Sequence, residues 1–298
     1  MNDPVGEIPP VTDPRRNAPL EPETARRSAA PPGKVAVVGP GRLGEALLGG
    51  MLRAGLPPGN AAVVVRRAEM GQPLAERYGV AVMTLAQAAA FADVVLLTVK
   101  PQDVAAAVDG LAALDALPLM ISAAAGIPTT FFEKRLPAGT AVIRVMPNTP
   151  VLVDEAMTVA SAGAHSSPAD MDRARQLFTA VGKFMVLPEY QLDAVTALSG
   201  SGPAYFFYLV EAMTDAGILL GLPRAVAAEL LVQTALGAAV MLRDSGEHPV
   251  QLRENVTSPA GTTISAIVEL EKHGVRAALI AAIAAARDRS RELGAALD

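Results

Sequence analysis

Cysteine is absent from the 298 residues, which excludes a disulfide framework and every thiolate metal site. Histidine is scarce. The three present, His165, His248 and His273, lie far apart with no ligand spacing, so neither a zinc centre nor a histidine-based triad is expected and the metal content is read as none. Basic charge is not in excess. The net charge of −5 gives the chain no bulk attraction to nucleic acid. Residues 1–32 lack the apolar run that a secretory signal needs. They are rich in proline, carry Arg15-Arg16 and Arg26-Arg27, and read as a disordered extension. A transit peptide is the alternative, and the early acids Asp3, Glu7 and Asp13 speak against it. The expected compartment is the cytoplasm. What the chain does have is a 51% apolar content and enough length for two sizeable cores.

From Lys34 the pattern reads strand, glycine turn, helix. Val35–Val38 is a short buried-strand run, Gly39-Pro40-Gly41-Arg42-Leu43-Gly44 follows at once, and an amphipathic helix extends from about Arg42 to Ala54. In that setting the glycines read as a dinucleotide-binding turn. Gly39 permits the tight turn, Gly41 lets backbone approach the pyrophosphate, and Gly44 lets helix pack on strand. The N–H groups of Arg42 and Leu43 would face the phosphates. A glycine turn without a ligand is the plainer alternative. The second strand, Ala61–Val65, ends where the adenosine ribose belongs. An NAD enzyme usually has an acid there, but this chain has Arg66-Arg67. Two guanidiniums suit a 2′-phosphate, so NADP(H) is the preferred cofactor and NAD(H) the second option, although exposed arginines are also commonly just solvated. Three further strands end in loops: Val99-Lys100-Pro101, Ala123-Ala124-Ala125-Gly126 and Met146-Pro147-Asn148. Ligands of open α/β sheets lie beyond the carboxyl ends of strands, so Val99, Lys100, Pro101, Ala123, Ala124, Gly126, Met146, Pro147 and Asn148 are candidate nicotinamide contacts. A strand-end lysine is equally at home in solvent, and Pro101 and Pro150 also serve as strand breakers.

After Val151 come a strand at Met157–Ala160, a helix near Pro168–Val181 and a strand at Lys183–Leu187; everything beyond Gln191 reads as helix. The run at 203–220 has the length of a membrane span, but Glu211 and Asp215 near its middle make a buried soluble helix the better reading. Val226–Leu242, Pro259–Leu270 and Val275–Leu293 are apolar on most faces and need cover on all sides. Burial against a second copy, in an obligate and intertwined homodimer, is the simplest solution. The expected architecture is α/β: a Rossmann domain over residues 33–188 and an all-α dimerisation and substrate domain over 189–298. Between two of these helices, Val256–Ile264 collects hydroxyls, a proline and a glycine. Backbone N–H groups of Gly261, Thr262 and Thr263 at a helix start would hold an anion such as a carboxylate. An ordinary helix cap is the alternative.

Six blocks, taken together, resemble the Δ1-pyrroline-5-carboxylate reductase family from about Lys34 to Leu293. They are Gly39–Gly44, Val99–Gln102, Ser122–Ile127, Arg144–Pro150, Leu198-Ser199-Gly200-Ser201-Gly202-Pro203-Ala204-Tyr205 and Val256–Thr263. The last two do not belong to Rossmann enzymes generally. Three positions depart from the pattern: Ala260 where the family often has glycine, Leu85 where many members carry an adenosine-contacting asparagine, and Gly246 where some carry a glutamate. The resemblance implies hydride transfer from NAD(P)H to the C=N carbon of pyrroline-5-carboxylate, giving L-proline in the last step of its synthesis. It implies Ser258, Gly261, Thr262 and Thr263 as substrate-binding residues, with the Thr263 hydroxyl polarising the imine nitrogen as the catalytic group. It also implies dimers that can associate into larger rings, up to a decamer; the net charge and the acids of the 203–220 run leave no nucleic-acid or membrane partner expected. Two rivals are a 6-phosphogluconate-type hydroxyacid dehydrogenase, which relies on a lysine in its helical part, and a non-catalytic NADP-binding sensor.

Overall fold

Four of the strands are short apolar segments buried along their whole length, the signature of a parallel sheet covered on both faces. The computed structural model describes residues 33–295, so the extension expected over residues 1–32 lies outside the described residues. The strands are β1 (Val35–Val38), β2 (Ala61–Val64), β3 (Ala81–Val82), β4 (Val94–Leu97), β5 (Leu119–Ser122), β6 (Val142–Met146), β7 (Ala156–Ala162) and β8 (Gly182–Val186). They form one sheet in the order β3-β2-β1-β4-β5-β6-β7-β8, parallel except for the β6–β7 pair. Two-residue β3 was not expected from the sequence, being too short to display any periodicity.

Alternate strand residues feed two cores. Val35 and Val37 point with Leu47, Leu48 and Met51 of α1 (Arg42–Arg53) into one face. There they meet Leu177 and Phe178 of α6 (Pro168–Thr179). Ala36 and Val38 point to the other face. That face is covered by α3 (Leu85–Phe91), α4 (Val104–Ala112) and α5 (Thr129–Glu133); α2 (Gln72–Tyr78) follows β2 on the α1 side. Leu85 packs into the second core at the start of α3, where Thr84 and Gln87 form a capping box.

The second half is helical, as its composition requires. A short α7 (Leu192–Val195) runs into a single π-turn at Thr196–Gly200. Then come α8 (Gly202–Leu219), α9 (Arg224–Asp244), α10 (Pro249–Asn255), α11 (Thr262–Lys272) and α12 (Val275–Ala295). The long run singled out at 203–220 is α8. Within a single copy these helices leave much apolar surface bare: Phe207 is 70% exposed, Leu219 88% and Leu220 84%. α9 is the one helix, among the described residues, long and apolar enough to cross a membrane, with mean hydropathy 1.8. Bare apolar faces of this extent call for cover by another surface.

Candidate active site

The glycine turn sits where β1 hands the chain to α1. Gly39 has φ of 71°, and its N–H donates to Val64 O at 2.9 Å, tying the turn to the end of β2. From the other side Thr98, just after β4, shares its hydroxyl hydrogen between Val38 O (3.1 Å) and Gly39 O (3.0 Å). A Cβ on Gly44 would run into that same hydroxyl, so helix and strand approach at the distance only glycine allows. A Cβ on Gly41 would meet nothing nearer than Gly39 O, at 4.0 Å. Gly41 caps α1 without any side-chain cap, which leaves the N–H groups of Arg42, Leu43 and Gly44 at the helix start free to meet an anion. An open cradle with unpaired donors fits a dinucleotide pyrophosphate.

The flanking strand ends show how the other candidates stand. Arg66, beyond β2, donates from Nη2 to Asp103 Oδ1 at 2.6 Å, while Arg67 makes only a 3.7 Å contact to Met70 Sδ. Val99 packs against Gly39. Exposed Lys100 and half-buried Pro101 open a short 3-10 turn, Pro101–Asp103. Leu85 is turned into the core, so no polar side chain stands at that position for the adenosine.

At the far side of the crevice the loops are locked by the helical half. Ala123 and Ala124 are buried after β5. Gly126, with φ of 80°, touches α12, where an added Cβ would lie 2.7 Å from Ser290 O. Met146 at the end of β6 abuts Gly200 of the π-turn, and Pro147 beyond it is buried. Asn148 is fully engaged within the protein: its Nδ2 donates to Ser199 O at 3.2 Å, and its Oδ1 accepts from Met157 N–H at 2.9 Å. Its amide therefore braces the loop, and its backbone carbonyl accepts from the Val151 N–H at 3.3 Å. A further brace joins the turn at Thr149–Val153 to α1, where Arg53 donates to Asp154 at 2.7 Å. The hydrogen bond from that carboxylate holds the Arg53 guanidinium pKa above its ordinary value.

One polar cluster escaped the sequence reading. Arg144 in β6 is 5% exposed and reaches Asp193 of α7 at 3.1 Å and Glu189 at 3.5 Å. Asp193 also accepts from Ser290 Oγ of α12 (3.0 Å), and Glu189 accepts from the Thr129 N–H (2.7 Å) and hydroxyl (2.8 Å). A cation inside the apolar run Val142-Ile143-Arg144-Val145 was the available signal, since arginine is almost never fully buried unless paired.

The hydroxyl loop has a sharper form than its sequence implied. The Gly261 N–H donates to Ser258 O at 3.1 Å, closing a turn with Pro259 second and Ala260 third. Ala260 has φ of 55°, the backbone that the third position of a type II turn demands and that glycine adopts most readily. The family's glycine is thus missing where the left-handed conformation occurs. Ala260→Gly is expected to raise the unfolding free energy by about 1 kcal/mol, measured by denaturant titration; an unchanged or lowered midpoint would refute the strain. Because Pro259 and Ala260 form the turn, α11 starts at Thr262, later than the Pro259 start expected. The expected role of the Gly261 N–H in holding an anion also needs correcting, since that donor closes the turn. The donors left over are the N–H groups of Thr262, Thr263 and Ile264, and Gly261 supplies no side-chain cap. Thr263 is half-buried, and its hydroxyl makes no hydrogen bond to another described residue. Ser258 Oγ stands against Gly261, where any Cβ would collide with it. Among the described residues, no hydrogen bond or ion pair joins this loop to the glycine-turn side of the molecule. Its bonds are local, such as Thr257 Oγ1 to Arg253 O (2.6 Å).

Comparison with known proteins bears on both halves. A family described as pyrroline-5-carboxylate reductase dimerisation matches residues 189–293, and one described as NADP oxidoreductase, coenzyme F420-dependent, matches residues 34–126. The pyrroline-5-carboxylate reductase of Corynebacterium melassecola is 44% identical over 265 residues, covering 87% of this chain and 98% of that protein. The pyrroline-5-carboxylate reductase structure from Coxiella burnetii aligns with a TM-score of 0.79 at 35% identity, covering 88% of this chain and 98% of that one. The Plasmodium falciparum pyrroline carboxylate reductase, solved with NADP bound, aligns at 0.82 and 26% identity, covering 89% and 100%. The first half is a Rossmann-type domain for a nicotinamide dinucleotide and the second an oligomerisation domain. With sequence and fold matched over nearly the whole described length, the chain belongs to the pyrroline-5-carboxylate reductase family.

Proposed function

We propose that the chain reduces Δ1-pyrroline-5-carboxylate to L-proline, with NADPH preferred over NADH. The observation that carries the substrate assignment is the start of α11, where free N–H donors of Thr262 and Thr263 sit beside an unpartnered Thr263 hydroxyl. A carboxylate beside an imine nitrogen needs that pair of features. The dinucleotide, when bound, supplies a hydride to the imine carbon. Arg42, Leu43 and Gly44 hold the pyrophosphate on their N–H groups, and Arg66 and Arg67 receive the 2′-phosphate. Val99, Lys100, Pro101, Ala123, Ala124, Gly126, Met146, Pro147 and Asn148 line the nicotinamide half. The substrate carboxylate rests on Thr262 and Thr263 N–H with Ser258 at its side. The Thr263 hydroxyl donates to the neutral imine nitrogen, withdrawing density from the C=N carbon, and a proton from water completes the amine as the hydride adds to carbon; a substrate that enters already protonated would instead donate its N–H to the Thr263 oxygen.

The division of labour follows residues 33–188 and 189–298. In an obligate homodimer the bare faces of α8 and α9 cover one another, and the hydroxyl loop of one copy closes the crevice of the other. Dimers associating into a decamer extend the same surface. The cytoplasm suits this chemistry. The hydroxyacid-dehydrogenase rival loses ground because Lys272, the only lysine after Lys183, pairs with Glu269 on an exposed face at 2.7 Å.

The test is NADPH consumption with pyrroline-5-carboxylate, run beside 6-phosphogluconate-type substrates. Tight NADPH binding with no turnover of any of them would leave the sensor reading instead. Thr263→Ala is expected to lower kcat by about tenfold, roughly the worth of one ordinary hydrogen bond, with little change in NADPH affinity. Parent-like kinetics would end the Thr263 assignment.

A further inference from the structure

The Arg66–Asp103 ion pair occupies an unusual place. β2 and β4 lie on either side of β1, so residues beyond their carboxyl ends face each other across the end of β1. Arg66 comes from the first of these loops and Asp103 from the second, and they meet at 2.6 Å. The pair therefore spans the edge at which a dinucleotide's adenosine ribose is read. Asp103 is also the N-cap residue of α4, where an aspartate ordinarily accepts from a first-turn N–H. It makes no such cap hydrogen bond. Its carboxylate turns away from its own helix to the guanidinium opposite. The Arg66 side chain is 77% exposed, so solvent screens the pair and little free energy holds it closed.

We infer that Asp103 is a specificity-determining residue that sequesters Arg66 and competes with a 2′-phosphate for it, an inference resting on the dinucleotide reading above. A phosphate dianion is the stronger partner for a guanidinium, offering fork-to-fork hydrogen bonds and more charge. Once it displaces Asp103, the carboxylate is left beside a like charge. Asp103 thus weakens binding of the 2′-phosphorylated cofactor. A cofactor bearing a 2′-hydroxyl instead meets an acceptor at the ribose, the role an acid plays in NAD-selective folds. The paired arginines and the aspartate act in opposite directions on one selectivity.

The experiment is titration calorimetry on the full chain with two fragments differing only in the 2′-phosphate: adenosine 2′,5′-bisphosphate and adenosine 5′-monophosphate. Asp103→Asn keeps an N-cap-competent residue, so α4 is not put at risk. It is expected to shift the affinity ratio toward the bisphosphate by about fivefold. Arg66→Gln is expected to shift it the other way by a similar factor, and in the Arg66→Gln background Asp103→Asn yields no further gain. A ratio unchanged or lowered in Asp103→Asn overturns the inference, since Asp103 would then be idle or would orient Arg66 for the phosphate. If neither fragment binds the parent, the dinucleotide reading falls as well; if both bind and the ratio does not move, only this inference falls.

Discussion

Arg144→Met is expected to lower the unfolding free energy by about 3 kcal/mol, the lower end of the range for breaking a buried ion pair. The guanidinium serves two carboxylates at once, Asp193 at 3.1 Å and Glu189 at 3.5 Å. Methionine matches its length but leaves both acids without their cation. Asp193 and Glu189 keep 20% and 27% side-chain exposure, so water offsets part of the loss and the upper end of the range is not reached. Arg144→Lys is expected to recover less than half, because one ammonium lacks the fork geometry that spans two acceptors. Ser290→Ala, which removes a single neutral donor from Asp193, is expected to lose only about 1 kcal/mol. The measurement is urea unfolding at fixed protein concentration, since any association of copies would contribute to the apparent stability. An Arg144→Met midpoint indistinguishable from the parent's would show that the cluster does not hold the halves together.

That cluster also marks the limit of what the sequence discloses. The glycine turn was legible because its determinants fall within ten residues: an apolar strand, three glycines and a helix that begins on cue. Arg144 and Asp193 are 49 residues apart and Ser290 is 97 beyond Asp193, and no local pattern encodes such a meeting. The all-round apolar character of α8 and α9 announced that they need cover, and a single copy leaves both largely exposed. Which faces meet a second copy is a three-dimensional matter that periodicity leaves open. The start of α11 was misjudged for a physical reason. Proline is favoured at the first helical position, but it is equally suited to the second place of a turn, and Ala260 with φ of 55° chose the turn. The hydroxyls of the loop were visible in sequence; that Gly261 closes a turn with its N–H, leaving the donors one residue further on, was not.

Gly44→Val is expected to weaken NADPH binding by at least about 100-fold, some 2.7 kcal/mol, and to destabilise the fold by about 3 kcal/mol. In an ordinary helix interior, replacing glycine would gain stability; here the sign reverses. A Cβ at Gly44 would strike Thr98 Oγ1 and lie 3.1 Å from Thr98 Cβ and 3.3 Å from Val37 Cγ1. Val37 belongs to β1 at the centre of the sheet and cannot retreat. The Thr98 hydroxyl is the group that holds Val38 O and Gly39 O, so pushing it aside loosens the turn proposed to meet the pyrophosphate. The alternative response, α1 lifting off the strand, carries the free N–H groups of Arg42 and Leu43 away from the phosphates. Either movement damages binding before chemistry begins, so the loss is read directly by quenching of NADPH fluorescence. Combining Gly44→Ala with Thr98→Ala is expected to restore part of what Gly44→Ala alone removes, because the hydroxyl is gone while the Cβ contact persists. Parent-like NADPH affinity in Gly44→Val would mean that the close approach of α1 to β4 has no part in holding the dinucleotide.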